Sequence, residues 1–421
     1  MRRLLAPLLG ALCVIGCGSG GNNGAAPSGC GGPCPLEIEP RALTLGMPAN
    51  GSVDPSQALW AVHRPPGAER PAYLREAADW LSLDPAVVAI DADGIATPLA
   101  RGEALIEATY AGEAARLAVT VSGSLIARGV DHDGDRRAYT LYVPDGFRDA
   151  APRPLVVALH GGGGRSINQI RMAQLSGLAR EKGFMVAYPE GTSRTLPLQT
   201  WNAGTCCGVA VERRVDDVGF LRAVVADAAA LFAVDLRRVY ITGMSNGGMM
   251  THRVACEAAD LFAAAAPVAG GLNVGGDFPQ CTPSRAMPII MFHGTTDRNY
   301  PLAGGDGVGE RGVPETFYPV VHATEPDTLA AWRARNGATG SARRTFSGAN
   351  ARCDTHDGAA PVVMCVIAPM QPDADEAVVY DGGGHAWPGG VRALRAESDL
   401  PARDIDASAM MWSFFTRHAL P

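Results

Sequence analysis

Val239-Tyr240-Ile241-Thr242-Gly243-Met244-Ser245-Asn246-Gly247-Gly248 is the stretch on which the fold reading turns. Its first four residues form a continuous apolar, β-branched and aromatic run, as expected of a strand buried on both faces. The run feeds a G-x-S-x-G string, and a helical stretch from Met249 to Glu257 follows at once. In such a strand–turn–helix context the glycines permit a tight turn. That turn holds Ser245 strained, with its hydroxyl above the sheet and near a helix N-terminus. A plain glycine-rich turn would need neither the preceding strand nor the following helix, so Ser245 is read as a nucleophile.

Other strands of the same kind carry their own strings. Pro154 to Leu159 is a second buried run, followed by His160-Gly161-Gly162-Gly163-Gly164. Bare glycine backbone lets a substrate oxygen approach an N–H donor. Gly162 is the expected donor, with Gly163 second, paired with the N–H of Asn246 after the nucleophile. A phosphate loop would end in Gly-Lys-Ser/Thr, whereas Arg165-Ser166 stands here. Pro288 to Phe292 precedes His293-Gly294-Thr295-Thr296-Asp297, which offers a carboxylate; Asp306 and Asp327 are its rivals. His385, on the loop Gly382 to Trp387 after an expected strand Ala377–Tyr380, offers the imidazole in preference to His322 and His356. His160 and His293 are read as structural. Ser245, Asp297 and His385 then follow the chain order nucleophile, acid, base.

From about Gly123 onward, strands alternate with helical stretches such as Asp217–Phe232 and Asp404–Arg417. This argues for a mainly parallel sheet wrapped by helices. Leu36 to Ser122 reads differently, as short alternating segments separated by turns such as Asp93-Gly94, the pattern of a small all-β sandwich. Across all 421 residues, 36 basic and 43 acidic side chains give a net charge of −7. Mild acidity gives no reason to expect nucleic acid as a partner. Asp131-His132-Asp133-Gly134-Asp135 departs from calcium-loop spacing, with Arg136 where a glycine is needed, and reads as a hairpin turn. No zinc-type Cys/His spacing occurs, and the chemistry calls for no metal or organic cofactor.

The N-terminus reads as an address. Met1-Arg2-Arg3 precedes an apolar run from Leu4 to Gly16, too short to span a bilayer. Val14-Ile15-Gly16-Cys17 resembles a bacterial lipobox, which makes Cys17 the lipidation candidate and 18–35 a flexible tether. The mature chain is then exported, held to the membrane only by its lipid. In that compartment Cys206, Cys207, Cys256, Cys281, Cys353 and Cys365 are disulfide candidates. Cys353 and Cys365 flank a hairpin-like segment. Adjacent Cys206 and Cys207 would make a strained ring with each other, so they are expected to reach Cys256 and Cys281 separately.

Two family resemblances add to this. Trp80 to Ile90 followed by Gly94-Ile95-Ala96-Thr97 looks like a bacterial Ig-like (group 2) domain, with Arg64–Ala78 as an insertion. The resulting organisation is a signal at 1–17, a tether at 18–35, an Ig-like sandwich at 36–122 and a second domain at 123–421. The Ig-like part is read as a spacer rather than a binding module.

The second domain resembles secreted esterases of the α/β-hydrolase fold, including polyhydroxybutyrate depolymerases, feruloyl esterases and acetylxylan esterases. Shared strings, besides those above, are Arg137 to Pro144, Trp201-Asn202-Ala203-Gly204, Cys206-Cys207-Gly208, Val215 to Phe220 and His385 to Gly390. The resemblance implies a Ser245, Asp297, His385 triad, with Trp201 and Trp387 bordering the substrate cleft. It also implies a polymeric ester as substrate. A monomer is expected, and the insertion Pro301–Val321, rich in glycine and proline, is read as shaping the cleft rim. A serine peptidase of the same fold and a non-catalytic adhesin are the alternatives.

Overall fold

The computed structural model describes residues 36–51, 53–64, 71–147, 151–193, 198–307, 320–369, 382–392 and 399–421. The tether, Cys17, the expected strand Ala377–Tyr380 and much of the insertion after Pro301 lie outside these residues. The described chain divides into two compact units. One holds 36–43 with Ser56–Val121, and the other holds Thr44–Pro55 with Ser122–Pro421.

The smaller unit is all-β and antiparallel. Leu36–Glu39 pairs with Trp60–His63, which pairs with Ala72–Leu74. Gln57–Ala58, Ile95–Pro98 and Val88–Ile90 form a second group, and Asp79–Ser82 pairs with Gly102–Tyr110. Alternation decides which side chains enter the core: Ala115, Leu117, Val119 and Val121 are buried while the residues between them are not. The Asp93-Gly94 turn forms, with Asp91 Oδ1 accepting the N–H groups of Asp93 and Ile95.

The larger unit is built on one mixed sheet. Its strands are β1 (the 124–132 part of Glu113–His132), β2 (Asp135–Val143), β3 (Arg153–Leu159), β4 (Met185–Pro189), β5 (Val234–Met244), β6 (Ala264–Val268), β7 (Ile289–Gly294), β8 (Arg343–Ser347), β9 (Ala351–His356) and β10 (Val362–Ile367). Within this unit the order runs β8-β9-β10-β7-β6-β5-β3-β4-β2-β1. The six strands from β10 to β4 are parallel, and antiparallel pairs finish both sides. This is an α/β-hydrolase sheet.

The apolar runs are continuous because both faces are covered. Leu155, Val157 and Leu159 of β3 enter one core with Val239 and Ile241 of β5. Val156 and Ala158 enter a second core with Tyr240. The first core is roofed by α3 (Asp217–Leu231), α4 (Asn246–Glu257) and α5 (Glu325–Arg335). The second is roofed by α1 (Ser166–Ala173), α2 (Leu175–Lys182) and α6 (Ala407–Phe415). Side chains fix the starts of α3 and α6: Asp216 accepts the Gly219 N–H at 2.9 Å and Asp406 accepts that of Ala409 at 2.9 Å. The β1–β2 hairpin closes through Asp133-Gly134 at φ 51° and 82°, the backbone of a type I′ turn.

Three disulfides join described residues. Cys353–Cys365 bridges facing positions of β9 and β10. The expected cross-pairing of the other four is corrected: Cys206 bonds Cys207, and Cys256 bonds Cys281. Helix length gives the reason. Cys206 Sγ lies 3.7 Å from the Asn246 side chain at the start of α4, whereas Cys256 is ten residues further along that helix, about 15 Å away. Cys281 already stands beside Cys256, their Cα atoms 5.1 Å apart.

Candidate active site

Ser245 joins β5 to α4 with φ 56° and ψ −121°, a conformation L-residues rarely hold. The neighbouring backbone maintains it: its N–H donates to Val268 at 2.9 Å, and its carbonyl accepts from Met249 at 2.8 Å. Glycine is required at 247, because a Cβ there would run into the His160 carbonyl oxygen. Strand β3, the glycine loop and the turn at Ser245 are therefore packed backbone against backbone.

The loop after β3 is pegged by His160. Its Nδ1 bonds the Gly161 carbonyl at 2.8 Å, and its Nε2 accepts the Gly191 N–H at 3.0 Å. Burial pushes its pKa down to about 4, so the ring is neutral and can accept that N–H. Gly163 cannot serve as an anion donor, since its N–H is taken by Gln199 at 2.7 Å; that of Gly164 is taken by Gly161 at 3.0 Å. No hydrogen bond among the described residues takes up the Gly162 N–H. A Cβ on Gly162 would lie 3.5 Å from that of Asn246. The Asn246 side chain is turned away onto the backbone of Trp201, accepting its N–H at 2.8 Å and donating to its carbonyl at 3.1 Å.

Trp201, expected at the cleft, does not line it. The indole is fully buried and donates to the His160 carbonyl at 2.9 Å. The strings around it are scaffold as well. Asp217 accepts the Asn202 N–H at 2.7 Å and pairs with buried Arg137 at 2.6 Å.

Asp297 is buried after β7. Its Oδ1 accepts the N–H groups of Asn299 and Tyr300 at 2.9 and 2.8 Å, and its Oδ2 lies 2.7 Å from His385 Nδ1. Burial by itself would raise its pKa. The His385 and His293 imidazoles and the Tyr300 N–H outweigh that and hold the carboxyl below its ordinary value. Asp306 and Asp327 are exposed and make no such contact. His356 lies on β9 away from the cavity.

Behind Asp297 stands a pair that sequence reading missed. His293 Nδ1 is 3.1 Å from buried Glu325, and its Nε2 is 2.8 Å from the Tyr300 carbonyl and 3.7 Å from Asp297. Burial opposes its charge, yet the two carboxylates and the carbonyl raise its pKa to about 9. The available signal was Thr324, whose hydroxyl accepts the Asp327 N–H and starts α5 with Glu325 on the inward face. Asp399 was also missed; it accepts the His385 N–H at 2.6 Å.

Ser245, His385, Gly162, Asn246 and Trp387 line one cavity of about 190 Å³. Cys206 and Cys207, His322 and Asp399 complete much of its wall. Trp387 is mostly buried and donates to the Ser408 hydroxyl at 3.0 Å, so it meets the cavity as a fixed wall. A serine at a strained turn, a carboxylate-bound imidazole and the N–H groups of Gly162 and Asn246 around one cavity suit acyl transfer.

Known proteins resemble this chain over the same region. The family model described as esterase PHB depolymerase matches residues 137–335. Feruloyl esterase B of Piromyces equi is 31% identical over 247 residues, covering 58% of this chain and 41% of that protein. The putative esterase NocK of Nocardia uniformis subsp. tsuyamanensis is 33% identical over 283 residues, covering 64% of this chain and 76% of that protein. Among solved structures, the acetyl xylan esterase from Aspergillus awamori aligns at 17% identity and a TM-score of 0.43, over 68% of this chain and 98% of that one.

Proposed function

The chain belongs to the esterase PHB depolymerase family, and on that premise we propose that it is an exported serine carboxylesterase acting on polymer-linked esters. The observation that carries the mechanism is the 2.7 Å contact of His385 Nδ1 with the buried Asp297 carboxylate. An acceptor at Nδ1 keeps the proton there and leaves Nε2 with the lone pair, which makes Nε2 the base for the Ser245 hydroxyl. Ser245 Oγ attacks the ester carbonyl, and His385 takes its proton and returns it to the leaving alcohol. The oxyanion rests on the Gly162 and Asn246 N–H groups. Losing one such donor costs about 2.7–4 kcal/mol in related chemistry. Water entering by the same path releases the acyl group.

The test is hydrolysis of an aryl acetate by the full chain and by Ser245→Ala. The variant should lose activity by several orders of magnitude with an unchanged circular dichroism spectrum. Retained activity would exclude Ser245 as nucleophile.

The polymer is a feruloylated or acetylated polysaccharide or a hydroxybutyrate polyester, and initial rates on methyl ferulate and a 3-hydroxybutyrate oligomer separate these. The smaller unit serves as an Ig-like spacer between the enzyme and its anchor. The lipobox-like string assigns that anchor to Cys17. Cys17→Ser should move the protein from the membrane to the soluble fraction, and membrane association that survives the change removes the lipid from the account. Among the described residues no helix is long and apolar enough to cross a membrane.

A further inference from the structure

A two-stranded pair, Gly305–Asp306 with Val321–His322, brings His322 to the cavity wall with Gly305 opposite it in register. His322 is 7% exposed, yet neither ring nitrogen has a hydrogen-bond partner among the described residues. The Asn299 carbonyl lies close to the ring and favours its protonated form, against the larger effect of burial. The ring is held rather than loose. It packs on Tyr300 with centroids 4.1 Å apart, and the Tyr300 hydroxyl donates to Asn273 at 2.7 Å. Nearly all buried polar groups in folded proteins have a hydrogen-bond partner, so an unpartnered one calls for an explanation.

Burial pushes the His322 pKa down to about 4, so at neutral pH the ring is uncharged, with one donor and one acceptor. Such a ring has no charge with which to grip a carboxylate or phosphate. A hydroxyl matches it, because a hydroxyl also donates and accepts. His322 forms no hydrogen bond with Asp297, which is bonded to His385 instead.

We propose that His322 recognises a hydroxyl group carried by the ester substrate within the cavity, and so sets a preference for hydroxylated esters. This rests on the esterase reading above. The hydroxyl can belong to the acyl half, as in a hydroxyalkanoate, or to the alcohol half, as in a sugar ester.

The test measures kcat/KM of the full chain on two pairs of esters. 4-Nitrophenyl butyrate and 4-nitrophenyl 3-hydroxybutyrate differ on the acyl side; ethyl butyrate and 2-hydroxyethyl butyrate differ on the alcohol side. In one pair the hydroxylated ester should be favoured by about tenfold, the order expected of one well-placed hydrogen bond. That pair identifies the half of the substrate that is read. The ratio should fall toward one in His322→Phe, which keeps an aromatic ring on Tyr300 but no nitrogen, and recover in His322→Gln, which restores a donor and an acceptor. If His322→Phe does not fold, the wild-type ratio and its survival in His322→Gln decide. Equal rates within both pairs overturn the proposal, as does a preference that His322→Phe leaves intact. Hydrolysis that persists in Ser245→Ala overturns the esterase reading itself, and the two failures are told apart by that control.

Discussion

The two sides of the cavity are made of different material. On the nucleophile side, Ser245, Gly162 and Asn246 present backbone positions at the ends of β3 and β5. The side chains of His160, Asn246 and Trp201 serve to tie that backbone down. On the opposite side, Asp297, His385, His293 and Glu325 are side chains on loops, a strand end and a helix start, joined in a run of ion-pair contacts. Backbone amides do not titrate in the working range, whereas a chain of imidazoles and carboxylates does. The first side should therefore fail by steric displacement and be indifferent to pH above the range, near 4, in which His160 takes up a proton; the second should fail by loss of a charge.

Beyond the loss of Ser245 itself, the largest effects fall where the proposed chemistry draws on the second side directly. Asp297→Ala should lower kcat by about 10⁴, and His385→Ala by at least as much, with the fold retained. Asp306→Ala, an exposed carboxylate on the neighbouring strand pair, should stay within about twofold. Kinetics on an aryl acetate decide this. A severe Asp306→Ala with a mild Asp297→Ala would reassign the acid.

The same division explains what could be read from sequence. The nucleophile side is local: an apolar run, a glycine string and a helix start lie within one stretch of chain, so Ser245 and the Gly162 loop are legible there. Glycines mark the places where backbones touch. The charged side is assembled over long separations. Nothing near His293 announces Glu325, which arrives on α5, and nothing near His385 announces Asp399, which stands 14 residues further along the chain. Trp201 was misplaced for a related reason. The family resemblance implies a cleft position for it, and only the fold shows its N–H spent on the His160 carbonyl. The disulfides divide likewise: Cys353–Cys365 is a hairpin contact, while Cys256–Cys281 depends on where α4 ends.

A steric change sharpens the contrast from the backbone side. Gly247→Ala puts a Cβ against the His160 carbonyl, and the glycine loop must move away from Ser245. We expect kcat to fall by about 10²–10³, the range associated with one lost oxyanion donor, together with about 1–3 kcal/mol of stability from overpacking. The loss should be the same across the pH range. A loss that grows toward acid pH would mean that the turn acts through the imidazole, and the two sides would not be separable.

Glu325→Gln makes the complementary change, removing a charge at nearly constant shape. In the wild type the His293 pKa lies at about 9, above its ordinary 6.5. The stabilisation from that proton is complete below about pH 6.5 and is lost as pH rises toward 9. Without the Glu325 charge, burial dominates and His293 becomes neutral in the folded state, so this alkaline decline in Tm should flatten. Asp297 then loses one of the cations that hold it ionised, and the acid limb of the activity profile should move to higher pH, with a cost of about tenfold or less in kcat at neutral pH. His160 and His252, which burial pushes down to about 4, act in the opposite sense. They take up protons first in the unfolded chain, so they lower stability as pH falls from about 6.5 toward 4, and Glu325→Gln should leave that acid decline in place. Melting curves from pH 4 to 9 separate the two limbs. An alkaline decline that survives Glu325→Gln would place its origin elsewhere and leave His293 and Glu325 as packing alone.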